Sequence, residues 1–117
     1  MFDFNSEAVD RLCEAFLSLK DKRECRAFLE DICTIGEFQD MAQRLTAAKL
    51  LHEGRNYQQI SEELGISTAT ISRVNRCLNY GAGGYRMVLF RMDQKEIMAE
   101  YEEGISGKSE SGGEEGV

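Results

Sequence analysis

Apolar residues recur along the chain at spacings of three and four in six successive stretches, the repeat expected of helices that bury one side. The first stretch carries Val9, Leu12, Cys13, Phe16, Leu17 and Leu19 behind Ser6, a residue suited to cap a helix N-terminus. A second starts at Asp21, with Glu24 three residues on as its capping-box partner, and presents Phe28, Leu29 and Ile32 on one side. The third opens on Thr34-Ile35-Gly36-Glu37, a box in which each side chain can satisfy a free backbone N–H at the other end. From there Phe38, Met41, Ala42, Leu45, Ala48 and Leu51 run at helical spacing to Gly54, a residue fit to end a helix in the left-handed conformation. Two short helices over 56–78 follow, and a last helix over 85–102 carries Val88, Leu89, Met92, Ile97 and Tyr101 among charged residues.

Proline is absent and the 11 glycines are clustered, so the pattern predicts an all-α helical bundle broken at glycines. A length of 117 residues with 42% hydrophobic content suits one domain over 1–103. Within it, 6–33 holds two amphipathic N-terminal helices, 34–54 the long helix and 56–78 a pair of short ones. The segment 104–117 is Gly, Ser, Glu and Lys with only Ile105 and Val117 apolar, and disorder is expected there. Gly81-Ala82-Gly83-Gly84 lacks the Lys-Ser/Thr of a phosphate loop and does not match GxGxxG, so it reads as a flexible break.

Little of the remaining chemistry points to catalysis or metal. Cys13, Cys25, Cys33 and Cys77 form no CxxC pair and no zinc spacing, and are expected as reduced thiols, three of them on apolar helix faces. The single histidine, His52, stands near a helix end, where the helix dipole is its expected partner rather than a metal. No His, Ser or Cys has an evident base partner, which argues against an enzyme. No apolar run approaches the roughly 18 residues of a membrane span, and Met1-Phe2-Asp3-Phe4-Asn5 lacks the basic-then-apolar layout of a secretory signal. A cytoplasmic protein without a membrane partner is expected.

The informative stretch is 56–78, whose layout is that of a helix-turn-helix. Asn56 can cap its first helix, Ile60 and Leu64 form the inward stripe, and Ser61 is small where the helices cross. Gly65 stands at the turn, Ile66 plugs the corner, and Ser67 caps the second helix. Ile71, Val74 and Leu78, at i, i+3 and i+7, face the core. Thr68, Ala69, Ser72, Arg73, Asn75 and Arg76 are left outward, with Thr70 on the margin. Small uncharged residues in the first turn can approach base edges: Ala or Thr contacts a thymine methyl, hydroxyls bond either kind of base, and Arg or Asn reaches guanine or adenine. Gln58, Gln59 and the capping Ser67 complete the candidate contact set for double-stranded DNA.

Charge sharpens this reading. The chain carries 14 basic and 21 acidic residues, and a net charge of -7 by itself opposes binding to nucleic acid. Residues 1–40 hold a balance of -5, residues 41–92 one of +4, and the tail from Asp93 one of -6. The positive block is centred on the helix-turn-helix.

At these residues the chain resembles the Trp repressor superfamily, and most closely its YerC/YecD branch. The resemblance covers about residues 28–92. It rests on Thr34 before a long helix ending Leu50-Leu51-His52-Glu53-Gly54, then Leu64-Gly65, Ala69-Thr70-Ile71-Ser72-Arg73 and Asn75, with Asn79-Tyr80-Gly81-Ala82-Gly83-Gly84-Tyr85 as the branch-specific segment. It implies an intertwined homodimer whose N-terminal helices interlock, with two reading helices in successive major grooves of a palindromic operator. The implied function is a transcriptional repressor, associated with the bacterial nucleoid when bound. In tryptophan-binding relatives the corepressor lies between two arginines that match Arg44 and Arg73, a possible effector site. The residue after the second arginine is glycine in those relatives and Val74 here, which argues against tryptophan; no cofactor is expected, and the identity of any other effector is open. Two further classes stay open: a helical protein–protein interaction module that keeps the corner without binding DNA, which the overall acidity favours, and an enzyme.

Overall fold

The computed structural model describes residues 1–112, with side chains described through residue 104. Its elements are α1 (Glu7–Leu17), α2 (Lys22–Ile32), α3 (Ile35–His52), α4 (Tyr57–Leu64), α5 (Thr68–Tyr80) and α6 (Gly84–Gly112), with no strand among the described residues. The all-α expectation holds.

The starts of α1 to α5 are each secured by a side-chain oxygen that accepts an otherwise unpaired N–H. Ser6 accepts from the Val9 amide, Asp21 from Glu24, Asn56 from Gln59 and Ser67 from Thr70. The Thr34 box closes in both directions, the Thr34 amide donating to Glu37 Oε1 at 2.9 Å and the Glu37 amide to Thr34 Oγ1 at 3.1 Å. The box expected at Asp21 closes one residue earlier. Glu24 Oε1 accepts from the Lys20 amide at 2.9 Å instead of from Asp21. At the end of α3, Gly54 has φ +89 and its N–H donates to Leu51 O while the Arg55 N–H donates to Leu50 O. That is a Schellman closure, which a left-handed glycine permits.

The chain divides into two compact units, Met1–Ala42 and Gln43 onward, where its length predicts one domain. The boundary falls inside α3. In the first unit no residue of α1 or α2 is buried, and the helices are tied by an edge-to-face pair, Phe16 with Phe28, at 5.3 Å. Phe16, Leu17 and Ile32 remain exposed, Leu17 at 85%.

The second unit holds the core: Ala47, Ala48 and Leu50 of α3, Ile60 of α4, Ile71, Val74 and Leu78 of α5, and Leu89 of α6, with Leu45, Leu51, Tyr57, Leu64, Ile66 and Tyr85 packed around it. The stripe expected on α3 is met at Ala48, which is buried, and at Leu45 and Leu51, which pack against the core; Ala47 and Leu50 are buried as well, and Met41 is exposed. The thiols are free as expected, but none is buried: Cys13 and Cys77 are exposed and Cys25 and Cys33 half-buried. Fully burying Ile60 and Ile71 contributes about 1.5–3 kcal/mol each.

α5 runs on to Tyr80, and α6 runs past residue 102 to Gly112, so 104–112 is helical where disorder is expected; 113–117 lie outside the described residues. The break at 81–84 is tighter than its composition suggests. A Cβ at Gly81 would lie 2.4 Å from the Cys77 carbonyl oxygen, and Gly83 has φ +90.

Gly81→Ala should therefore lower stability by about 1–3 kcal/mol in a urea titration, whereas Gly84→Ala, which meets nothing within 4 Å, should leave it unchanged or slightly raised. The Thr34 amide first, and its hydroxyl second, hold the exposed Glu37 carboxyl below its ordinary value. The cap contribution is thus present above the ordinary carboxylate range and lost as pH falls through the lowered value. A carbon-13 titration should show the Glu37 midpoint displaced downward, and Thr34→Ala should return it only part-way, since the backbone N–H remains.

Candidate nucleic-acid interface

The α4–α5 corner is built from its turn outward. Gly65 caps α4 at φ 67, ψ 32, a left-handed conformation in which a Cβ is strained, and its N–H donates to Ser61 O at 2.9 Å. Ser61 does more than stay small. Its hydroxyl donates to the Ile66 carbonyl at 2.7 Å, spanning the turn. The Gln43 side chain donates to the Leu64 carbonyl at 3.3 Å, so α3 holds the last turn of α4 as well. Neither bond is signalled by spacing, because each joins a side chain to a backbone group of the turn.

With Ile71, Val74 and Leu78 inside, α5 presents Thr68, Ala69, Ser72, Arg73 and Arg76 as exposed residues and Thr70 and Asn75 as half-buried ones. Not one of residues 64–92 is acidic. Ser67 and Thr70 share a hydroxyl contact at 3.1 Å, and Ser67 also caps the helix, so both hydroxyls already have partners at the rim of this face.

The glutamines of α4 are exposed but committed. Gln59 Oε1 accepts from the Asn56 amide at 3.1 Å, closing the capping box, and Gln58 Nε2 donates to Glu62 at 2.9 Å. Arg55 pairs with Glu63. At the far end of α5, Asn79 bonds Asn75, and Arg86 of α6 bonds Asn79.

A family model described as Trp repressor protein matches residues 7–93. The chain belongs to the Trp repressor family. Among its relatives, the uncharacterized protein YerC of Bacillus subtilis (strain 168) is 53% identical over 88 residues, covering 75% of this chain and 85% of that protein. A TrpR-like protein of Eubacterium eligens ATCC 27750 has a crystal structure similar to this one, with a TM-score of 0.74 and 51% identity over 77% of this chain and 93% of that chain. A Staphylococcus aureus protein proposed to be a Trp repressor has the same TM-score of 0.74 at 42% identity, over 80% of this chain and 96% of that one.

Within this member of the Trp repressor family, Arg44 is exposed on α3 and Arg73 on α5. Burial raises the Tyr85 phenol above its ordinary value, and the Arg44 charge draws it part-way back. Tyr85 lines an open apolar recess of about 440 Å³ with Leu45, Ala82, Gly84 and Val88. Val74 is only 3% exposed and belongs to the core. His52 ends α3 with Nε2 3.8 Å from Asp93, a side-chain neighbour in addition to the helix terminus expected for it. Among the described residues no cluster could hold a metal ion, and no helix is long and apolar enough to cross a membrane.

Because the corner depends on a left-handed residue at 65, Gly65→Asn should cost less than Gly65→Val, whose β-branched side chain tolerates that region worst. Urea denaturation should rank wild type above Asn above Val, with about 1–2 kcal/mol lost for the milder change.

Proposed function

We propose that this protein is a sequence-specific DNA-binding transcriptional regulator that acts as a homodimer on double-stranded DNA, with repression as the sign its family implies. The observation that carries this reading is the outer face of α5. It is exposed, small at its first turn, basic at Arg73 and Arg76, and held by a capped, glycine-turned corner in a member of the Trp repressor family.

In this reading Thr68, Ala69 and Ser72 approach base edges, while Arg73 and Arg76 contact guanine or phosphate and Asn75 sits at the flank. Ser67, Thr70, Gln58 and Gln59 contribute from the rim with the donors that their internal bonds leave available. The unburied apolar residues of α1 and α2 support a two-fold partner, because amphipathic helices with no buried residue leave hydrophobic area in water. Half-sites of such a dimer lie about 34 Å apart, the helix-turn-helix spacing for which the Trp repressor is itself a standard example.

The role is regulatory rather than enzymatic, and tryptophan is not the effector. Val74 is spent in the core at the position where tryptophan-binding relatives have glycine. The alternative, a module that binds protein through the same corner, draws on the net charge of -7. Recovery of protein partners that survive nuclease treatment would favour it.

Selection from a random duplex pool should return a palindrome with half-sites one turn apart, and Arg73→Ala/Arg76→Ala should weaken binding by about 1–3 kcal/mol for each arginine that reads a base. The same variant should flatten the salt dependence by roughly 0.9 for each phosphate no longer neutralised; an unchanged affinity and slope would contradict the assignment. Titration calorimetry with tryptophan should show no micromolar binding.

A further inference from the structure

The segment after the reading helix carries a chain of hydrogen bonds that the corner itself does not need. Arg86 Nη2 of α6 donates to Asn79 Oδ1 at 2.8 Å. Asn79 Nδ2 in turn donates to Asn75, to its carbonyl at 2.9 Å and to its side-chain Oδ1 at 3.1 Å. The Gly81–Gly84 turn makes this possible by bringing α6 back alongside the end of α5, seven residues after Asn79.

The donor chemistry fixes both amides. A guanidinium can only donate, so Asn79 must turn its oxygen toward Arg86 and its nitrogen toward Asn75. Asn75, half-buried, then turns its own oxygen toward Asn79, and its Nδ2 is left with no hydrogen-bond partner among the described residues. Asn75 lies on one stripe of α5 with Thr68 and Ser72, at i, i+4 and i+7.

We infer that Arg86, acting through Asn79, orients the Asn75 amide so that it meets DNA as a donor, through Nδ2, to an acceptor atom. This rests on the proposed DNA-binding reading and deepens it. An unconstrained asparagine pairs with adenine in two directions, its oxygen accepting from N6 while its nitrogen donates to N7. The bond from Asn79 takes one of the two lone pairs of Oδ1 and holds that oxygen toward the end of α5, which disfavours the two-way pairing and favours an acceptor without an adjacent donor: guanine O6 or N7, thymine O4, or a phosphate oxygen. Arg86 and Asn79 are positioning residues here; Asn75 makes the contact.

The test compares the sequence preference and affinity of wild type, Asn75→Ala, Asn79→Ala, Arg86→Ala and Arg86→Lys, selected from one random duplex pool, with circular dichroism melts verifying that each is folded. Asn79→Ala and Arg86→Ala should lose about five- to tenfold in affinity for the wild-type site, the worth of one hydrogen bond. If the acceptor is a base, both should admit adenine at the position that Asn75→Ala leaves unspecified. Arg86→Lys, which keeps a donor for Asn79, should restore the wild-type profile. Asn79→Ala should also leave the salt slope unchanged, because no charge is removed.

Single substitutions in the selected duplex that remove guanine N7 (7-deazaguanine), guanine O6 (2-aminopurine), thymine O4 (5-methyl-2-pyrimidinone) or a phosphate charge (methylphosphonate) separate the sources. The one that matters should weaken wild type and have no further effect on Asn75→Ala. If Asn79→Ala and Arg86→Ala bind with wild-type affinity and preference, the inference is overturned while DNA binding stands. If wild type selects no sequence, the DNA-binding reading falls and this one with it.

Discussion

Burial of one face of α5 is the constraint on which the rest of the second unit depends. Ile71, Val74 and Leu78 enter a core shared with Ile60, Leu89 and the paired alanines Ala47 and Ala48 of α3. A helix of 13 residues that commits those three positions inward has no rotational freedom left, so the identity of its outer residues is settled at the same time. The closeness of α3 to this core follows from side-chain size, since Ala47 and Ala48 are both fully buried. The angle at which α5 leaves α4 is set in the left-handed Gly65 and clamped by the Ser61 hydroxyl across the turn. Packing and turn geometry therefore fix a surface that itself contributes little to the core.

That surface is chemically unlike the rest of the chain. The acidity that dominates the sequence lies in residues 1–40 and from Asp93 onward, while 41–92 carries a balance of +4. A protein so divided has weak attraction for the uniform negative charge of a duplex and must gain its affinity from a fitted site. The same segregation reconciles an overall charge of -7 with membership in the Trp repressor family. Val74 is 3% exposed and completes the core from the buried face of the same helix.

Features that depend on local backbone chemistry are legible in the sequence. The Thr34 box, the Ser6 and Ser67 caps, the left-handed Gly54 and Gly65, and the inward triplet of α5 all follow from residue type and spacing within a few positions. Features that depend on where another segment arrives are not. Gln43 of α3 reaches the Leu64 carbonyl, His52 lies 3.8 Å from Asp93 of α6, and the buried face of α3 takes in Ala47 and Leu50 because of what packs there. Gly81-Ala82-Gly83-Gly84 has the composition of a loose joint, yet Gly81 is held against Cys77 and the turn returns Arg86 to Asn79. A run of glycines can mark close approach as readily as mobility, and only the surrounding atoms distinguish the two.

The central claim, that the outer face of α5 is the surface that meets DNA, is tested most directly by mapping backbone amide shifts in solution as a selected duplex is added. The account predicts that the largest changes centre on residues 67–76, reach the start of α4, and leave α1 and the acidic residues beyond Asp93 nearly unmoved. Changes concentrated in α1 or α6 with α5 silent would contradict it.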